Sequence, residues 1–175
     1  RHGYIVSQSE VSKSISTAVA QAEKMSGIKV KRAIFSVGGI GLSGVTSSGM
    51  AVISRADYEI TDLDLQKAID ASQSEIPQAQ ITNRRIIHTV PLLHRIDGKG
   101  VFGNPVGMKG MRLEAKTFFV TCLNPHYSDI IESASEAGIG VEDIVASPIA
   151  ASVVNLSKAQ KIAGCVLVNI GSETV

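Results

Sequence analysis

The stretch Gly103-Asn104-Pro105-Val106-Gly107-Met108-Lys109-Gly110-Met111-Arg112-Leu113-Glu114-Ala115-Lys116 restricts the fold more than any other part of the chain. Gly103, Gly107 and Gly110 with Pro105 demand a shaped turn, because glycine enters positive φ without a steric penalty and proline withholds an amide. From Met111 onward, apolar and charged residues alternate with a period of two, the pattern of a strand with one buried face. Upstream, Ile87-His88-Thr89-Val90-Pro91 and Ile96-Asp97-Gly98 supply a second strand.

At 175 residues, with 44% hydrophobic and 19% charged side chains, the chain can bury one large core or two small ones. A net charge of +1 provides no global attraction to nucleic acid or an anionic membrane, so partners must be argued locally. Cys122 and Cys165 lie in apolar, strand-like runs without Cys-x-x-Cys spacing and read as two reduced, buried thiols, which suits the cytoplasm. No run reaches the length of a membrane helix and the start lacks the plan of a signal peptide, so membrane attachment is expected only through sequence outside this chain.

Along the chain, Ser7 to Glu10 reads as a capping box ahead of a helix with Val11, Ile15, Ala18, Ala22 and Met25 on one face, closed by Gly27. Lys29 to Val37 reads as a strand ending at Gly38-Gly39. A strand through Ile53 follows from about Leu42, then a helix capped by Thr61 and Asp64 with Leu65, Ala68 and Ile69 as its stripe, ending before Ile76-Pro77. Arg84 to Ile96 and Met111 to Cys122 are long strands. Asn124 as cap, Pro125 at the first position and Gly138 as terminator frame a helix with Tyr127, Ile130, Ile131, Ala134 and Ala137 on one face. Val141 to Ala146 reads as a strand, Ser147-Pro148 opens a helix to about Leu156, and Cys165 to Ile170 reads as a buried sheet strand. The fold class is α/β with an α+β insertion, divided as 1–41, 42–122 and 123–175.

Gly39-Ile40-Gly41-Leu42-Ser43-Gly44 satisfies G-x-G-x-x-G after a strand, but Val45 to Ile53 reads as strand where a dinucleotide fingerprint needs a helix, so the glycines read as a flexible crossover between subdomains. His2, His88, His94 and His126 lack metal spacing, although His88 and His94 share a strand face, and no Ser-His-Asp arrangement occurs. Asp62 and Asp64 are explained by helix-end capping. Charge is uneven: Arg84, Arg85, Arg95, Lys99, Lys109, Arg112 and Lys116 face only Asp97 and Glu114 between 84 and 116, whereas Asp129, Glu132, Glu136, Glu142 and Asp143 stand between 124 and 147 without Lys or Arg. These are either solvated faces or complementary contact surfaces, with Arg84, Arg85, Arg95, Lys109 and Arg112 as candidate protein-contact residues. Nucleic acid is disfavoured because the basic stretch lacks interleaved aromatics.

Taken with Ile87 to Pro91 and Ile96-Asp97-Gly98, the Gly103 to Lys116 stretch resembles the FtsA family of bacterial cell-division proteins, within the actin and Hsp70 superfamily. The likeness extends from Arg1-His2-Gly3, similar to the end of an early FtsA loop, to Asn169-Ile170-Gly171, similar to the second phosphate loop, commonly Asp-Ile-Gly-Gly-Gly-Thr. Gly171 and Thr174 match that loop, Ser172 and Glu173 replace glycines, and Asn169 replaces the aspartate; Gly171, Ser172 and Thr174 are the candidate cofactor-binding residues. The resemblance implies an internal piece of a longer protein: core subdomain 1A in two parts, interrupted by the inserted subdomain 1C. It further implies a division scaffold that self-associates into filaments at the cytoplasmic face of the membrane, tethers FtsZ and recruits other division proteins. ATP with magnesium is implied for the full-length parent and neither for this chain alone. Two alternatives stay open: an actin-like ATPase or phosphotransferase, which needs an acidic residue where Asn169 stands, and a PilM-like pilus-assembly adaptor.

Overall fold

The computed structural model describes residues 3–171, which divide into two compact units: unit 1 from residues 3–43 with 122–171, and unit 2, Gly44–Thr121. In unit 1, helix α1 (Gln8–Ser26) precedes strand β1 (Arg32–Val37), and helix α4 (Asn124–Glu136) precedes β6 (Gly140–Ala146). β1 and β6 form a parallel pair, Arg32 opposite Gly140 and Val37 opposite Ala146, with an irregularity between Ala33 and Ile34. α1 packs against α4, and α4 and helix α5 (Ser147–Asn155) pack on the strands, burying Val37, Ile130, Ala134, Ile139, Ile144 and Ala146. Helix α6 (Lys158–Ala163) follows, set by a capping box in which Ser157 Oγ accepts from the Gln160 amide.

Several local expectations change in unit 1. Ser7 precedes α1, but its hydroxyl meets Ser9 Oγ and caps no amide, and Gln8 instead donates from Nε2 to Glu132 at 2.8 Å. Asn124 is the first residue of α4, not its cap. The buried face of α4 is His126, Ile130, Ser133 and Ala134, because packing against α1 and β6 turns the helix away from the purely apolar stripe. Gly138, at φ 76, ends α4 as expected, where only glycine turns left without strain. Residues 165–171 are not a strand: no described strand lies beside them to complete a ladder, and Cys165, expected to be buried, is exposed. Apolar character alone does not make a strand, which needs neighbours for its amides and carbonyls.

Unit 2 holds a four-stranded sheet in the order β2-β5-β3-β4, from β2 (Leu42–Val52), β5 (Arg112–Leu123), β3 (Arg84–Ile96) and β4 (Lys99–Val101). Helix α2 (Asp62–Ser74) begins with the expected capping box: the Thr61 hydroxyl accepts from the Asp64 amide, and the Asp64 carboxylate accepts from the Thr61 amide and hydroxyl. Those hydrogen bonds hold Asp64 below the ordinary carboxylate range. Ala51, Ile53, Ile60, Ala68, Ile96, Leu113 and Ala115 form one core with Leu65 and Ile69 packed on it. Gly49 lets the backbone of α2 approach β2; a Cβ there would collide with the Ser72 amide and the Ala68 carbonyl. The short helix α3 (Gln78–Ile81) and β4 lie outside the sequence expectations.

The glycine-rich stretch now has a cause. Gly107, at φ 85, donates to the Ile60 carbonyl, Ile60 donates to Met108, and Gly110 donates to Tyr58, so the turn is stitched to the approach of α2. Asp97 and Gly98, both at positive φ, make the β3–β4 turn, and the Asp97 carboxylate accepts from the amides of Met111 and Arg112, fixing where β5 begins.

Candidate functional site

The C-terminal ends of the parallel strands β1 and β6 border a hollow of about 880 Å³ in unit 1. Gly38 and Gly39 follow β1, Ser147 and Pro148 open α5 after β6, and Asn169 and His126 complete its polar lining. The carboxyl ends of strands are where open α/β sheets take ligands, since helix amides and glycine-rich turns converge there. His126 is buried, its ring 5.2 Å from that of Tyr4, and its Nδ1 has no hydrogen-bond partner. Desolvation holds its pKa below the usual histidine value, against a smaller opposing pull from Asp129.

Of the expected phosphate-loop residues, Gly171 is exposed and outside any strand, while Ser172, Glu173 and Thr174 lie outside the described residues, as do Arg1 and His2. The hollow offers the Ser36 and Ser147 hydroxyls, the His126 ring and the Asn169 amide among mostly apolar residues such as Ile5, Val11, Phe35 and Leu42, and among the described residues no carboxylate lines it. Such a lining does not fit a magnesium ion, which is held through oxygens of carboxylates and phosphates. Among the described residues no cluster of three or more His, Cys, Asp or Glu could hold a metal, and no helix is long and apolar enough to cross a membrane. That Gly38, Ser147 and His126 line one hollow was not read from the sequence, although Gly38-Gly39 and Ser147-Pro148 each follow a strand.

In unit 2 the basic residues divide by strand alternation. Leu113 and Ala115 enter the core, so Arg112, Glu114 and Lys116 stand on the opposite, helix-free face of the sheet. Arg95, Leu93 and Ser48 share a shallow hollow of about 250 Å³ with Glu114 and Lys116, which places them on that face. Arg85 has the parity of Arg95 and is exposed. Arg84 has the opposite parity and is half-buried, with Nε donating to Thr121 Oγ1 at 2.8 Å. Lys109, in the turn, bridges backbone to backbone with Glu59. The acidic residues of unit 1 are partly engaged within that unit: Arg32 meets Glu142 at 3.3 Å, and Gln8 reaches Asp129 and Glu132.

Residues 38–121 match the family model of the SHS2 domain inserted in FtsA. The cell division protein FtsA of Pseudomonas aeruginosa is 30% identical over 99% of the chain, that of Bacillus subtilis 30% over 98%, and that of Escherichia coli 27% over 94%. The chain spans only about two fifths of these relatives, 38–40% of their length. A solved structure, the PilM-PilN type IV pilus biogenesis complex, is similar in fold over 87% of this chain and 38% of that one, with a TM-score of 0.55 at 10% identity. The fold is α/β, an actin-like core segment carrying an inserted α+β domain. With the insertion matched by the model of the SHS2 domain inserted in FtsA and the residues on both sides aligning with the same relatives across species, the chain is similar to FtsA proteins along nearly its whole length.

Proposed function

We propose that this chain is part of a bacterial division scaffold of the FtsA type, in which unit 2 is the inserted subdomain 1C presenting a protein-contact surface and unit 1 is core subdomain 1A. The observation that carries the proposal is the basic, helix-free sheet face of unit 2, on a chain whose relatives are named cell division proteins. Exposed charges acting together steer association, although each pair is worth only about 0–1 kcal/mol. The face formed by Arg85, Arg95, Arg112 and Lys116, with Lys109 in the nearby turn, receives an acidic surface of a neighbouring copy or of another division protein. The full-length parent self-associates at the cytoplasmic face of the membrane, tethers FtsZ filaments and recruits division proteins, with membrane contact made by regions outside this chain.

Nucleotide belongs to that parent. A bilobed site needs both phosphate loops and an adenine pocket, and the 175 residues carry only part of one loop, so this chain alone holds ATP weakly and carries out no catalysis. Asn169, an amide, orients water or phosphate by hydrogen bonds but lacks the charge that holds a metal cluster, which favours nucleotide as a structural ligand over a phosphotransferase reading. Arg95→Glu with Arg112→Glu in the full-length parent tests the contact role, with thermal stability measured beside filament formation and FtsZ capture at low and moderate salt. Stability holds while assembly or capture weakens, most at low salt; unchanged assembly and capture at both salts would overturn the proposal. Calorimetry tests the nucleotide reading: micromolar, saturable ATP binding by the 175-residue chain would sink it.

A further inference from the structure

We propose that the helix-free face of the unit 2 sheet seats an amphipathic helix of a partner protein, one that carries two carboxylates about two turns apart between apolar residues. This names the partner for the contact role proposed above and rests on that role. Strand alternation builds the face. Ala51 and Ile53 enter the core, so Ser48, Met50 and Val52 stand on the other side of β2, with Met50 44% and Val52 67% exposed. The Ile53 amide donates to the Met111 carbonyl, and Ser48 shares the shallow hollow with Lys116, so β2 runs antiparallel to β5 and lays Val52 beside Arg112. On the far side of β5, Leu93 and Arg95 of β3 line the same hollow. The centre is therefore a charged row on β5, with Met50 and Val52 along one flank and Leu93 on the other.

Width selects a helix. From β2 across β5 to β3 is two strand spacings, about 10 Å, the width of one helix with its side chains. The opposite face is closed in this way by α2, through Leu65, Ala68 and Ile69. A second helix on the open face would complete a three-layer arrangement, with its apolar residues resting on Met50, Val52 and Leu93.

Charge selects its sequence. Among the described residues the side chains of Arg95, Arg112 and Lys116 take part in no ion pair, and Glu114 is the single carboxylate between them. Arg112 and Lys116 lie four residues apart on one strand, about 13 Å, which a helix matches with carboxylates eight residues apart, about 12 Å. Glu114 stands midway and repels a third carboxylate there. Packing this face on the same face of a second copy would set its cations against the same cations, and such like-charge contact is unfavourable.

The probe is an end-blocked, alanine-based helical peptide with two glutamates eight residues apart and leucines flanking them on one face. It is labelled and titrated onto the full-length parent by fluorescence anisotropy, and saturable binding is expected. Arg112→Glu with Lys116→Glu weakens binding at least about tenfold, and a peptide with lysine in place of both glutamates recovers the loss on that variant. Val52→Asp weakens it as well, through the lost apolar flank, and a thermal melt shows that each variant is folded. Moving one glutamate to the opposite face of the peptide, at unchanged net charge, also weakens binding. Equal binding by that peptide, or by one broken with a central proline, would overturn the helix and leave charge attraction alone. Binding unchanged in the folded Arg112→Glu, Lys116→Glu protein would overturn the face. Parent self-association lost in that variant, with no peptide bound by the unmodified parent, would overturn the choice of partner in favour of a second copy. Absence of saturable peptide binding overturns this inference alone, since the Arg95→Glu, Arg112→Glu comparison decides the contact role through assembly and capture.

Discussion

The two units solve the same problem of burying a sheet with different completeness. Unit 2 has four strands and a helix that closes one face, and its core residues Ile60, Leu113 and Phe119 are fully buried. Among the described residues unit 1 has two paired strands and leaves Val154 84% and Val166 89% exposed along with Ile34, Ile162 and Ile170. A two-stranded pair is marginal by itself and leans on its helices, while three or more strands with a covered face hold independently. The difference teaches that the inserted domain carries its own stability, and that the core segment keeps apolar surface of the kind that marks contact with further protein.

The contrast breaks most sharply at Gly49. Gly49→Leu forces β2 and α2 apart and is expected to cost more than about 3 kcal/mol, unfolding unit 2 while α1 and α4 of unit 1 keep their amide protection. Loss of protection across both units together would end the claim that they are separate. Next in size, Phe119→Ala removes a fully buried ring from unit 2 at about 3–5 kcal/mol, whereas Val154→Ala on the exposed side of unit 1 stays within about 0.5 kcal/mol; chemical denaturation of each variant compares them.

Arg84 and Arg95 sharpen the comparison within unit 2. Arg84→Ala leaves Thr121 without its guanidinium partner and costs about 1–3 kcal/mol in a thermal melt, while Arg95→Ala leaves stability almost unchanged. Equal effects would mean that the two faces of the sheet are not distinct.

Acid separates the units by pH. His126 in unit 1 is held neutral by burial, so the unfolded chain binds its proton first: stability is complete above about pH 6.5 and declines as pH falls toward the depressed folded value. Asp64 in unit 2 is held ionised, so its contribution is complete above about pH 4 and is lost as pH falls through its lower folded value. Hydrogen exchange between pH 7 and 5 is expected to loosen unit 1 and spare unit 2, and His126→Phe removes the difference. The smallest effect is the cap: Thr61→Ala costs about 1 kcal/mol in a melt at neutral pH.

Much of the fold was legible because local physics left signatures. The period of two from Arg112 to Lys116, the Thr61 and Asp64 box and the Gly138 stop each act within a few residues, and each forms in the structure. The candidate sites were less legible. The basic count between 84 and 116 revealed an excess of charge but not that Arg84 turns inward, and the histidine pattern of a metal site could not reveal His126, whose burial comes from α1, α4 and Tyr4 meeting around it.

By itself, the sequence determined the order of elements, the boundaries set by caps, glycines and prolines, and the resemblance carried by the Gly103 to Lys116 stretch, because these depend on neighbours along the chain. Only the tertiary structure decided that Cys165 to Ile170 stays unpaired, that β4 covers so little of β3, and which face each arginine occupies. A strand exists only when another strand receives its hydrogen bonds, and a side chain is buried only when something distant in sequence covers it.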